Sequence, residues 1–163
     1  MCSSMSLVML LVEDDQGDQK LMRAALAAQD MTIDLHIMSS AEDALRYLLY
    51  SGNGDIERPW PDLILLDLNM PGMGGKEFLV HVKSHSDLRS IPIVVLTTSG
   101  SELDIDECYE MHAAGYIQKP AGPNELKDVM ENVVAYWRTS CLLARYGSPN
   151  DAIGTVEEGA SMR

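Results

Sequence analysis

Five short apolar runs, each closed by polar or turn residues and followed by a stretch of helical spacing, constrain this chain more than any other feature. They are LVMLLV (7–12), TIDLHIM (32–38), DLILLD (62–67), IPIVVLTT (91–98) and GYIQK (115–119). Runs of this length suit strands, and the near-continuous apolarity of the first, third and fourth is that of strands buried on both faces. Between them, Leu21, Met22, Ala25 and Leu26 form one face of a helix over 16–28. Ser40 suits an N-cap for a helix carrying Ala44, Leu45, Leu48 and Leu49, and Phe78, Leu79 and Val82 point one way from 75–85. Further helices are expected over 101–114 and 122–144, and the glycines and prolines of SGNGDIERPWP mark a loop. Strand then helix, five times over, predicts an α/β fold, a (βα)5 doubly wound five-stranded parallel sheet. Right-handed crossovers leave the flavodoxin-like order 2-1-3-4-5 as the expected one.

At 163 residues the chain is expected to hold one domain over 1–145, with a disordered tail over 146–163 that is rich in glycine and small polar residues. The formal net charge of −13 argues against attraction to nucleic acid or an anionic membrane surface. Cys2, Cys108 and Cys141 form no CxxC pair, so reduced thiols in a cytoplasmic protein are the expectation. The apolar start, 7–12, is too short for a secretion signal, lacks a basic flank and runs straight into three acids. No stretch reaches the ~18 apolar residues of a membrane span.

Folds of this type place their sites at the carboxyl ends of the strands. Strand 1 ends in Glu13, Asp14 and Asp15, strand 3 in Asp67, strand 4 in Thr97 and Thr98, and strand 5 in Lys119 followed by Pro120. Carboxylates gathered this closely raise one another's pKa unless a cation sits among them. Mg²⁺ suits such a group because it binds through one or two carboxylates with waters and phosphate oxygens. Lys119 and a hydroxyl supply the charge and hydrogen bonds that a transferring phosphoryl group needs. A carboxylate facing them can act as nucleophile and form an aspartyl phosphate.

The segments LLVEDD, LILLDLNMPGMGG, IPIVVLTTS and GYIQKP, in this order and at these strand ends, resemble the receiver domain of two-component response regulators. The resemblance spans roughly residues 7–138. It implies that Asp67 is the phosphoacceptor and that Glu13, Asp14, Asp67 and the main-chain carbonyl of Asn69 hold Mg²⁺. It further implies that Thr97 is the switch hydroxyl, that Lys119 contacts the phosphoryl group and that Tyr116 is an aromatic switch. The long second loop, the paired LTTS and the closing VVAYW are similar to small stand-alone regulators that partner bacterial phytochromes. The implied function is a phosphorylation-activated switch whose phosphoryl donor is a sensor histidine kinase. Output would be by protein contact, with no DNA-binding domain and no enzyme activity beyond self-catalysed phosphoryl acceptance and loss.

The alternative is a Mg²⁺-dependent phosphohydrolase using an aspartyl phosphate. Enzymes of that type resemble D-x-D, and the second acid is here Asn69. GMGG (72–75) matches neither common phosphate-loop pattern. His36, His81, His85 and His112 share no metal-ligand spacing, and Thr97 or Thr98 is expected to cap the helix that follows. Val129, Met130, Val133, Val134, Tyr136 and Trp137 make a wide face on the last helix, which suits either core packing or a partner surface, including a homodimer.

Overall fold

A computed structural model describes residues 6–29, 32–51 and 58–140. The expected tail, the end of the last helix beyond 140 and part of the second loop lie outside the described residues. In chain order the elements are β1 (Leu7–Val12), α1 (Gln16–Ala27), β2 (Ile33–Met38), α2 (Ala41–Tyr50), β3 (Leu63–Leu66), α3 (Gly75–Ser84), β4 (Ile93–Thr97), α4 (Glu102–Glu110), β5 (Gly115–Gln118) and α5 (Pro123–Ala135). A π-helical turn over Tyr136–Ser140 follows α5. Every strand pair is parallel and the order is β2-β1-β3-β4-β5, as the alternation of runs predicts. Val12 is level with Leu66, and Leu66 with Val95, so the residues just past these strands emerge along one edge.

Strand residues divide by parity between two cores. Leu10, Val12, Ile64, Leu66, Ile93 and Val95 join α2, α3 and α4 around the fully buried Phe78. Met9, Leu11, Leu63, Leu65, Val94 and Leu96 join α1 and α5 around Met22 and Met130. The last-helix face is thereby split: Met130, Val133 and Val134 are buried, whereas Tyr136 is half exposed.

The starts of α1 and α2 follow side-chain caps. The Asp15 carboxylate accepts from the Asp18 N–H at 2.8 Å and the Ser40 hydroxyl from the Asp43 N–H at 3.1 Å. The start of α4 departs from expectation: Ser101, not Thr97 or Thr98, is its N-cap, because Thr97 is still a fully buried strand residue. This helix also ends earlier than expected. His112 takes a left-handed φ of 67°, and the Ala114 N–H then bonds to the Ile93 carbonyl, which turns the chain into β5.

The link from α3 to β4 is held by Lys83, whose Nζ donates to the carbonyls of Arg89 at 3.1 Å and Ile91 at 2.6 Å. Burial pushes its ammonium pKa down. Lys83→Ala leaves the Ile91 carbonyl without this donor, and denaturant unfolding is expected to show a loss of about 1–2 kcal/mol.

Candidate functional site

The edge defined by the strand ends gathers the expected residues. The Glu13 N–H donates to the Met38 carbonyl at 3.0 Å, and Gln19 Nε2 donates to the Glu13 carbonyl at 2.6 Å, so the first acid is fixed from both sides. The Asp67 N–H donates to the Val12 carbonyl at 3.0 Å, which extends the β1–β3 ladder one residue past the strand. The Lys119 N–H donates to the Thr97 carbonyl at 2.7 Å and fixes the lysine in the same way. Backbone pairing between neighbouring parallel strands therefore aims Glu13, Asp67 and Lys119 at one cleft.

Glu13, Asp14 and Asp67 each offer a carboxylate oxygen, and these lie within 4.8 Å of one another. Among the described residues no other group of His, Cys, Asp or Glu is gathered this way. Three hard oxygen donors at this spacing fit a small divalent cation that keeps some of its waters. Lys119 Nζ donates to Glu13 at 2.6 Å, to Asp18 at 2.7 Å and to Asp67 at 3.4 Å. Burial pushes the Glu13 carboxyl up, against the pull of the Lys119 ammonium and the Asp15 N–H. Burial also pulls Lys119 down, but its bonds to Asp18 and Glu13 outweigh this and hold the ammonium above its ordinary value.

Thr97 Oγ1 is buried and accepts from Asn69 Nδ2 at 3.4 Å and from the Ser99 N–H at 3.4 Å. The side chain two residues past Asp67 is thus an amide bonded to the hydroxyl, where the phosphohydrolase alternative needs a second carboxylate. The Asn69 N–H also reaches Asp67 Oδ1 at 3.4 Å. Tyr116 is half-buried and its hydroxyl donates to the Ser99 carbonyl at 2.9 Å. Ser99 in turn donates through Oγ to Asp104, a carboxylate that also accepts from Lys76 at 2.6 Å. Lys76 pairs with Glu107 as well and so ties α3 to α4.

Two acids read differently from the sequence. Asp15, the third acid after the first strand, is the N-cap of α1 and not a member of the gathered carboxylates. Asp18 was not expected in the site at all, yet it holds Lys119 as closely as Glu13 does. Its one sequence signal is position: it falls one helical turn after Asp14 and Asp15, where an acid ordinarily reads as complementing the helix dipole. Each of the four histidines lies outside the acidic group.

An open flavodoxin-like sheet with three carboxylates, a lysine and a threonine at its carboxyl edge defines a class of protein equipped for divalent-cation and phosphoryl chemistry. Comparison with known proteins narrows that class. The model of the response regulator receiver domain matches residues 9–131, and the chain belongs to this family, the signal-receiving module of two-component systems. It is 36% identical over 130 residues to response regulator Rcp1 of Synechocystis sp., covering 80% of this chain and 88% of the relative. The crystal structure of the phosphorylated cyanobacterial phytochrome response regulator RcpA superposes with a TM-score of 0.79 at 34% identity, covering 86% of this chain and 100% of that one. The Mn²⁺-bound form of Rcp1 gives 0.76 at 34% identity, covering 85% and 99%. Among the described residues no helix is long and apolar enough to cross a membrane.

Proposed function

We propose that Asp67 accepts a phosphoryl group from the phosphohistidine of a sensor histidine kinase in the cytoplasm, and that the resulting aspartyl phosphate switches the chain's protein contacts. The observation that carries this reading is the convergence of Lys119 on Glu13 and Asp67 beside the three-carboxylate group. The family, and relatives described as phytochrome response regulators, support a phytochrome-type kinase as donor.

Asp67 Oδ attacks phosphorus, the P–N bond to the donor imidazole breaks, and its electron pair leaves with the imidazole nitrogen. Glu13, Asp14, Asp67 and the Asn69 carbonyl are the groups that would hold Mg²⁺, which supplies positive charge to the phosphoryl oxygens. The Lys119 ammonium adds charge on the side of β5, and the Thr97 hydroxyl, released from Asn69 and Ser99, donates to another oxygen. Movement of Thr97 disturbs Ser99 and through it Tyr116, which makes Tyr116 the second switch residue. Turnover is limited to acceptance and loss of this one group. The open apolar groove of about 450 Å³ bordered by Ile117, Val129, Val133, Tyr136 and Trp137 supports a second copy of the chain as an occupant of the α5 face.

Incubation with acetyl phosphate and Mg²⁺ is expected to add the mass of one phosphoryl group. EDTA or Asp67→Asn is expected to abolish the gain. Undiminished labelling of Asp67→Asn would refute the assignment.

A further inference from the structure

The Lys119 ammonium has three N–H donors, and three carboxylates already face them: Glu13 at 2.6 Å, Asp18 at 2.7 Å and Asp67 at 3.4 Å. To contact a phosphoryl oxygen it must release one. The three partners are not equally easy to leave. The Glu13 side chain is 1% exposed, so parting it from Lys119 strands a buried carboxylate, a costly change. The Asp67 side chain, 10% exposed, is the group that would carry the phosphoryl, so the ammonium stays beside it. The Asp18 side chain is 37% exposed and can be hydrated as soon as the lysine departs. It also stands on a different element from the other two, in the first turn of α1.

We propose that Asp18 is a positioning residue for Lys119: it competes with Asp67 for the ammonium in the unphosphorylated protein, at 2.7 Å against 3.4 Å, and surrenders it when the phosphoryl group arrives. Phosphoryl acceptance then exchanges one ion pair for another, Lys119 with Asp18 for Lys119 with a phosphoryl oxygen. The exchange also breaks a tie between α1 and the β5–α5 connection. A cavity of about 70 Å³ bordered by Asp18, Leu21, Lys119 and Pro123 lies beside this tie. The Asp18 carboxylate bonds to Lys119 Nζ and is not one of the three gathered carboxylates, so its influence is assigned to the lysine.

This inference rests on the phosphoacceptor reading of Asp67, and the test separates the two. Wild type, Asp18→Asn and Asp18→Glu are given acetyl phosphate at saturating Mg²⁺, and acceptance rate, phosphoryl half-life and apparent Mg²⁺ affinity are measured, with thermal melting to confirm folding. Asp18→Asn keeps the size and polarity of the side chain but lacks the charge that competes for Lys119. It is expected to accept the group about two- to fivefold faster and to retain it longer by a similar factor, the range for a partly exposed ion pair. Mg²⁺ affinity should not rise, because Lys119 then competes more strongly for Glu13 and Asp67, and Asp18→Glu should keep wild-type rates. Added salt should speed wild type towards the variant while moving the variant little, because screening weakens the competing pair. An Asp18→Asn protein with wild-type rate and half-life, or a gain traced to tighter Mg²⁺ binding, overturns the proposal and leaves the phosphoacceptor reading standing. A wild type that takes no phosphoryl group overturns both.

Discussion

Lys119→Ala is expected to lose about 3 kcal/mol of stability in metal-free buffer, because it strips the shared cation from carboxylates that are almost wholly buried. For a domain of this size that is on the order of a 10 °C fall in melting temperature. The expected size follows from the environment, since the Glu13 and Asp67 side chains are only 1% and 10% exposed and their backbones are fixed at the strand ends. Divalent cation distinguishes this account from simple loss of packing. Mg²⁺ supplies positive charge to the same carboxylates, so it should raise the melting temperature of the variant more than that of wild type. The transfer rate should still fall, by roughly 100-fold, since one preorganised cation facing the phosphoryl oxygens is gone. A metal-free variant that melts within a degree of wild type would show that the ammonium does not compensate these carboxylates.

The second large effect concerns Gly75 at the start of α3. A Cβ added there would lie 2.3 Å from the Asp67 carbonyl oxygen and 2.6 Å from Leu68 Cα, and both are backbone atoms that no rotamer change can move. Either α3 retreats or the end of β3 shifts. Gly75→Ala is expected to lose about 2–3 kcal/mol through overpacking. A displacement of the Asp67 carboxylate by ~1 Å is expected to slow phosphoryl acceptance on the order of 100-fold. Gly74 is the control, because its added Cβ meets nothing nearer than the Leu68 carbonyl oxygen at 3.8 Å. Gly74→Ala should keep nearly all the activity, at less than about 1 kcal/mol in stability for its N-cap position. Equal losses in the two variants would show that close backbone approach is not what Gly75 provides.

Much of the fold could be read from apolar periodicity because β1, β3 and β4 are buried and α1, α2, α3 and α5 each turn one apolar face inward. LVMLLV and LILL are apolar without a break since both faces of the sheet are covered, by α1 and α5 on one side and by α2, α3 and α4 on the other. Boundaries failed where local hydrogen bonds overrule pattern. Ile91 looks like strand, yet its N–H turns back to the Leu88 carbonyl, and β4 begins only at Ile93. That Glu13, Asp14, Asp67, Thr97 and Lys119 meet at one edge was legible, since strand-end position brings them there. Asp18 escaped because its partner lies 101 residues away and its own surroundings are those of an ordinary first-turn acid. The Lys76 pairing with Asp104 and Glu107 escaped for a related reason, in that it depends on how α3 and α4 lie together.

Ser99 carries no charge, yet each of its three polar groups is committed to a different neighbour. Its N–H goes to Thr97 Oγ1, its hydroxyl to Asp104 and its carbonyl receives the Tyr116 hydroxyl. A residue wired in this way cannot follow one neighbour without deserting another. Through this one residue the end of β4 is linked at once to Asp104 of α4 and to Tyr116 of β5, so that two elements share a single small anchor.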